Sequence, residues 1–153
     1  MVLPESTWLR LKTQLDCLPI LLAGVADDAL DRKQNPGKWS ARENLAHLAR
    51  YQHVFRSRLE HMLNEDRPAF PRYAAESDPE WGAWINRPAT ELIQDLRTQR
   101  EELIREIVEL TDEQLSRNGR HARFGEMTIT QWLEFFLLHE AHHLLAVLQR
   151  VRE

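Results

Sequence analysis

Two histidines near the end of the chain, His139 and His143, stand four residues apart within the apolar segment LLHEAHHLL. On a helix, this spacing places both imidazoles on one face, within reach of a single metal ion. Neutral imidazole is a common metal ligand in proteins. The alternative is that each is a core histidine hydrogen-bonded to a carbonyl or a side chain, and the spacing alone leaves both interpretations open.

The same segment also matches H-E-x-x-H, in which Glu140 would be the general base of a zinc protease. That interpretation requires a further ligand downstream, and Gln149 stands where the longer form of the motif has a histidine. Without this context, we expect Glu140 to be a solvated carboxylate at the rim. His142 is expected to point away from the face that carries the other two histidines.

A third ligand must therefore come from another helix. Four other histidines are candidates: His47, His53, His61 and His121. His47 sits at the margin of the apolar stripe of its helix, beside Asn44 and Tyr51, and is the best candidate by helical geometry. His53 and His61 lie off that stripe and are expected at the surface. His121 is expected in a solvated basic loop.

Three histidine ligands would leave coordination positions open, as catalytic metal sites do. Such a site can activate a water or a thiol, or polarise a carbonyl. Histidine-only ligation suits zinc, nickel, iron or copper, and the residue types do not choose between them. The sequence assigns no further residue a catalytic role.

Four long helical patterns must position these residues. They are predicted over about residues 6–26, 40–64, 89–110 and from about 128 to the C-terminus. Ser40 and Glu43 form a capping box at the start of the second helix, and Thr111 and Gln114 form another before a short turn. Pro19 is expected to kink or break the first helix.

The segments between the helices are predicted from composition. Residues 65–88 are rich in Pro and Trp and are expected to form a structured loop, residues 117–127 are expected to be irregular, and strand signals are nearly absent. We therefore predict an all-α fold, an antiparallel four-helix bundle with a long loop between helices two and three. Residues 1–153 are expected to form a single domain.

The composition excludes several classes of protein. The net charge of −4 gives no basic field for nucleic acid, and the one cysteine, Cys17, permits neither a disulfide framework nor a cysteine zinc cluster. No apolar run is long enough for a membrane span, and the first residues lack the apolar core of a signal peptide. We expect a cytoplasmic protein that acts on a small-molecule substrate.

Two separated motifs give the chain a resemblance to a known family. PGKWSARENLAHL, residues 36–48, resembles the start of helix two in DinB/YfiT-like proteins, and the C-terminal H-x-x-x-H resembles their second signature. The resemblance extends over most of the chain. It implies a four-helix bundle, commonly a homodimer, with one divalent metal held by three histidines, which fall here on His47, His139 and His143.

The resemblance also implies a range of activities. Characterised relatives include thiol S-transferases that use bacillithiol or mycothiol, and a mycothiol-dependent isomerase. We therefore expect a metal-dependent enzyme, with Zn, Ni or Fe bound, that acts as a thiol S-transferase with a low-molecular-weight thiol as cosubstrate. The alternatives are a metal-dependent hydrolase and a non-catalytic metal-binding stress protein.

Further residues near the expected site receive provisional roles. Glu43 and Tyr51 are candidates to orient the imidazole of His47, although the capping box explains Glu43 equally well. Trp132 and Phe136 are candidates for the pocket wall. Arg150 is expected at a solvated helix end.

Overall fold

The computed structural model describes residues 3–33 and 35–152, most of which are helical. The helices are α1 (Glu5–Thr13), α2 (Cys17–Leu21), α3 (Ala41–Asn64), α4 (Trp81–Ile85), α5 (Ala89–Val108), α6 (Asp112–Leu115) and α7 (Ile129–Arg152). The predicted fold class, a four-helix bundle with a long loop between the second and third long helices, is confirmed. Every described helix is too short or too polar to cross a membrane.

The core of the bundle consists of two apolar clusters that follow one another along α3. The first contains Tyr51 and Phe55 of α3 with Phe136 of α7, and the second contains Leu45 of α3 with Leu144 of α7. Because the first half of α3 meets the second half of α7, these two helices run antiparallel. Polar side chains occupy the level between the clusters, and the candidate histidines belong to it.

The first predicted helix is broken, as Pro19 indicated, and it is shorter than predicted. A 3-10 turn over Gln14–Asp16 separates α1 from α2, so Pro19 falls in the first turn of α2, where its missing N–H leaves no carbonyl unpaired. The helix ends at Leu21 instead of near residue 26. Gly24, with a φ of 72°, takes a left-handed conformation that a helix cannot continue.

Both predicted capping boxes are present. The Ser40 hydroxyl accepts a hydrogen bond from the Glu43 backbone N–H at 3.1 Å, and Oε2 of Glu43 accepts one from the Ser40 backbone N–H at 2.7 Å. Thr111 and Gln114 make the same pair of bonds before α6. The start of α3, and with it the angular position of every side chain on that helix, therefore follows from local sequence.

A small three-stranded sheet corrects the prediction that residues 117–127 are irregular. Strand β2 (Asn118–His121) pairs antiparallel with β3 (Gly125–Thr128) and parallel with β1 (Ala69–Phe70). The strands lack the alternating β-branched residues that mark a strand in sequence, and tertiary contacts hold them. Nε1 of Trp132 donates to the Gly119 carbonyl at 3.1 Å, which fixes the sheet against α7.

Candidate metal centre

The structure brings His47 of α3 together with His139 and His143 of α7. One ring nitrogen from each residue lies within 4.8 Å of the other two. The Nε2 atoms of His47 and His139 are 3.0 Å apart, and the three ring centroids lie 4.4 to 4.9 Å from one another. The three side chains that the helical geometry selected therefore meet at one point.

All three imidazoles are neutral at physiological pH. Burial, together with the neighbouring His143 and His139, lowers the pKa of His47 to about 2. Burial, followed by His143, lowers the pKa of His139 to about 3, and burial together with His142 lowers that of His143 to about 4. A neutral ring is the form of histidine that binds a metal.

Asn44 fixes the orientation of His143. The amide nitrogen of Asn44 donates to the Ser40 carbonyl at 2.8 Å, which turns its oxygen, Oδ1, toward Nδ1 of His143 at 2.8 Å. Because an amide oxygen only accepts, Nδ1 of His143 carries the proton and the lone pair is on Nε2. This partner of a candidate metal ligand was missed in the sequence, although Asn44 lies one turn before His47 on the same face.

Replacing Asn44 by alanine is expected to lower the affinity for a divalent metal about 10- to 100-fold, because His143 loses the partner that sets its tautomer. Competition with a chromophoric chelator measures that affinity. Asn64→Ala is the matched control, since Asn64 is an exposed residue at the end of the same helix whose amide donates to the Glu60 carbonyl. Equal affinities in wild type and Asn44→Ala would remove Asn44 from the site.

The three histidines open onto a cavity of about 580 Å³ with a largely aromatic wall. Trp39 lies 5.8 Å from His143 between ring centroids, and Tyr51 lies 4.5 Å from His139. Tyr73 is stacked 5.8 Å from His47 on the other side. Burial raises the pKa of both tyrosines, so their hydroxyl groups stay protonated. The Tyr73 hydroxyl donates to Oδ2 of Asp78 at 2.9 Å, and the Tyr51 hydroxyl can donate to a bound molecule. A larger groove on the outer side of α3 contains none of the three histidines.

Both residues that were predicted to form the pocket wall lie outside the cavity. Trp132 and Phe136 are fully buried in the core beneath the site, and Phe135 lines the cavity instead. Phe135 precedes His139 by one turn on α7, whereas Phe136 faces Phe55 of α3 at 4.4 Å. Because almost the whole circumference of this helix is apolar, the sequence could not show which of the two phenylalanines borders the cavity.

Glu43 does not orient His47. Its two carboxylate oxygens accept from the Ser40 backbone N–H and from Lys33 at 2.7 Å, so the capping interpretation is correct. Arg150, expected at a solvated helix end, donates through Nε to the Trp39 carbonyl at 3.0 Å. Arg150 therefore helps to hold Trp39 at the edge of the cavity.

Glu140 is the largest departure from the predicted site. It was expected to be solvated, but only 1% of its surface is exposed. It points away from the three histidines, and its carboxylate forms an ion pair with Arg100 of α5. Gln14 and Gln52 also donate to it, at 2.8 and 3.2 Å. Glu140 is thus the centre of a buried polar network on the opposite side of α7.

Two of the remaining histidines, His53 and His61, lie apart from the three that converge. His53 is half-buried and pairs with Asp95 at 2.9 Å, while His61 is exposed and pairs with Glu65. His142 is exposed, lines the cavity, and lies 5.2 Å from His143 between ring centroids. His121, expected in a solvated loop, is buried in the sheet, where its Nδ1 accepts from the backbone N–H groups of Arg123 and Phe124, and it lines the same cavity.

The donor set fits a divalent cation. Nε2 of His47 faces Nε2 of His139, and among the described residues neither ring has a hydrogen-bond partner for its Nδ1. Two neutral imidazoles whose Nδ1 atoms are buried, and whose Nε2 atoms contact only each other, are poorly satisfied by the protein alone. A cation between the three rings would accept a lone pair from each, which suits zinc, nickel or iron.

The depressed pKa values predict that the metal-free protein loses stability in mild acid. For each of the three histidines the folded pKa lies below the unfolded value of 6.5, so the unfolded chain binds more protons. The contribution to stability is complete above about pH 6.5 and is lost as the pH falls toward the folded values. Each group contributes up to about 1.4 kcal/mol per pH unit in that window.

Urea unfolding of chelator-treated protein, repeated from neutral pH down to about pH 4, measures this loss. His47→Gln should show a shallower dependence on pH than wild type, whereas His61→Gln serves as the exposed control and should follow wild type. A free energy of unfolding that stays constant through this range would contradict the lowered pKa values of the three imidazoles.

Comparison with known proteins adds three findings. Residues 10–147 match the sequence model of the DinB superfamily. An uncharacterized protein of Bacillus subtilis (strain 168), YuaE, is 27% identical over 136 residues, which cover 80% of this chain and 83% of YuaE. The solved structure of YfiT from Bacillus subtilis superposes with a TM-score of 0.84 over 97% of this chain and 85% of YfiT, at 21% identity. YfiT is described as a probable metal-dependent hydrolase with an unusual four-helix bundle topology.

Proposed function

The chain belongs to the DinB superfamily, and from this premise we propose that it is an enzyme that depends on a divalent metal held by His47, His139 and His143. The observation that carries the proposal is the convergence of three neutral imidazoles at the wall of a cavity large enough for a small molecule. A metal bound there would act as a Lewis acid toward a thiol, a water or a carbonyl.

The reaction that we propose first is thiol S-transfer. In this reaction a low-molecular-weight thiol loses its proton, and its sulfur forms a bond to an electrophilic carbon while the leaving group departs. Among the described residues that line the cavity, the one carboxylate is Glu76, and its Oε1 accepts from Nε1 of Trp39 at 2.8 Å. The cavity thus offers a single, exposed carboxylate, and a thiol, with a pKa of about 8.5, needs less help from a general base than water does.

The chain's own residues supply binding and orientation. The rings of Trp39, Tyr51 and Phe135 provide an apolar wall for an electrophile with a hydrophobic or aromatic body. The protonated hydroxyl group of Tyr51 can donate a hydrogen bond to one of its polar substituents. Asn44, through His143, holds the geometry of the three imidazoles.

A conjugation assay tests this proposal. Metal-loaded protein is mixed with a panel of thiols, including bacillithiol and mycothiol, and an aryl halide electrophile. We expect turnover in wild type and in His142→Ala, and a fall of at least about 100-fold in His143→Ala. Equal rates in wild type and His143→Ala for every thiol would exclude metal-dependent transfer.

Hydrolysis is the second candidate, and the description of YfiT as a probable metal-dependent hydrolase favours it. The same variants with ester and amide substrates separate the two reactions, since a hydrolase turns over without added thiol. A non-catalytic metal-binding protein would show neither activity, while chelation would still lower its thermal stability. A homodimer and a cytoplasmic location, both expected from the sequence, stay predictions.

A further inference from the structure

A buried arginine, Arg58 of α3, has no acidic partner. The side chain is 6% exposed, and its Nη2 donates to the Pro71 carbonyl at 2.8 Å. Nη1 lies 3.5 Å from the Tyr51 hydroxyl, at the limit of a hydrogen bond. The guanidinium carbon also lies 5.4 and 5.6 Å from the ring centroids of Phe70 and Trp132. In the described part of the chain, no carboxylate lies within ion-pair distance of it.

The other two buried arginines differ from Arg58 in this respect. Arg42 forms ion pairs with Asp27 and Asp31, and Arg100 forms one with Glu140. Removing a guanidinium from water without a counter-charge costs several kcal/mol, which a carbonyl and aromatic faces offset only in part. A neutral side chain could make the bond to Pro71 without that cost. The positive charge of Arg58 therefore requires an explanation beyond packing.

Arg58 lines the cavity onto which the three histidines open. The ring of Tyr51 stands between them, with its centroid 4.5 Å from that of His139 and 6.0 Å from the guanidinium carbon of Arg58. The charge of Arg58 also contributes to the lowered pKa of His139, after burial and the neighbouring histidines. One small molecule could thus contact both Arg58 and the metal site.

The described wall of the cavity carries an excess of positive charge. Arg72 and Arg123 are exposed at its rim, so three guanidinium groups with Arg58 face one carboxylate, that of the exposed Glu76. The whole chain carries a net charge of −4, so a cationic cavity runs against the overall balance. Such a wall concentrates anions and repels cations.

We infer that the cavity receives a small molecule that bears a carboxylate, and that this carboxylate binds the guanidinium of Arg58. The remaining N–H groups of the guanidinium form a planar fork that matches a carboxylate. The inference rests on the proposed function, since the other end of the same molecule is taken to lie at the three histidines. It narrows the substrate class to thiols or electrophiles with an organic anion.

A matched series of probes tests the inference on the full chain loaded with Zn²⁺. The probes are ω-mercaptoalkanoates of increasing length, each compared with its uncharged primary amide, and calorimetry measures their affinities. We expect the acid to bind about tenfold or more tightly than the amide, with a maximum at one chain length. Acids and amides that bind equally at every length would overturn the inference.

Variants assign the preference to Arg58. In Arg58→Gln the acid and amide should bind alike, and in Arg58→Lys part of the preference should remain. Arg56→Gln is the control, because it removes the same charge from the same helix at a site where Arg56 pairs with Glu102 and Glu106 of α5. If Arg58→Gln kept the full preference for the acid over the amide, another group would bind the carboxylate, which contradicts the inference.

Two further comparisons complete the test. Should Arg58→Gln fail to fold, the affinity of wild type as a function of probe length tests the role of Arg58. A carboxylate that bound only the metal would give no maximum of affinity at an extended probe length. One outcome would refute only the role of Arg58: acids and amides bind wild type equally, and neither binds His143→Ala. Probes that bind wild type and His143→Ala equally, or bind neither protein, would refute both the role of Arg58 and the proposed metal site.

Discussion

Replacing Glu140 by alanine is expected to lower the free energy of unfolding by about 3–5 kcal/mol. The substitution leaves the guanidinium of Arg100 buried without its counter-charge and also removes the acceptor for Gln14 and Gln52. Nη1 of Arg100 keeps its bond to the Leu11 carbonyl at 3.1 Å, which compensates only in part. Urea unfolding, monitored by circular dichroism, measures the change.

Glu134→Ala is the matched control. Glu134 lies on the same helix and also pairs with an arginine, Arg10, but both side chains are about one-third exposed. Water and salt screen such a pair, so the expected loss is about 0.2–1 kcal/mol. Equal effects of the two substitutions would contradict the buried network around Glu140.

A double variant separates the cost of a stranded charge from the value of the pair. Glu140→Leu combined with Arg100→Met removes both charges and replaces them with apolar groups. We expect it to recover most of the stability that Glu140→Ala loses, because an ion pair of this kind gains little over apolar packing. The network links α1, α3, α5 and α7 through Leu11, Gln52, Arg100 and Glu140, and we assign it no step of the chemistry.

The position of Glu140 shows where sequence reasoning was limited. His139 and His143 are four residues apart, so their shared face follows from helical geometry alone. The burial of Glu140 cannot be inferred from its own helix. Its charged partner, Arg100, lies 40 residues earlier in the chain, on α5. Only the packing of α5 against the bundle brings the two together.

Local signals predicted the frame of the site well. The capping box at Ser40 fixes the start of α3, and with it the direction in which His47 points. The residue types of the turns and strands did not predict the small sheet. Residues 118–121 read Asn-Gly-Arg-His, which has no strand pattern, and their pairing with β1 and β3 depends on contacts made elsewhere in the chain.

The roles of Asn44 and Arg58 could not be predicted from the sequence, for a different reason. The spacing of Asn44 places it on the same face as His47 but does not show which group it contacts, and nothing in the spacing of Arg58 distinguishes it from a solvated side chain. Their significance depends on what they face, which is the Nδ1 atom of His143 for Asn44 and a cavity without a counter-charge for Arg58. A helical wheel gives the direction of a side chain but not the charge of its surroundings.

Replacing any one of His47, His139 and His143 by alanine is expected to abolish stoichiometric metal binding. Each variant loses one of three protein ligands, and the fall in affinity should exceed the roughly 100-fold effect of an outer partner such as Asn44. His142→Ala is the closest control, because it removes an exposed imidazole adjacent in sequence to His143.

The most direct measurement is the metal content of the purified full chain and these four variants, after loading separately with Zn²⁺, Ni²⁺ or Fe²⁺ and removal of unbound ion. Elemental analysis should find one equivalent of at least one of these metals in wild type and in His142→Ala, and almost none in the three ligand variants. A wild-type protein that retains no metal, or a His143→Ala variant that retains as much as wild type, would contradict a metal site at the three histidines.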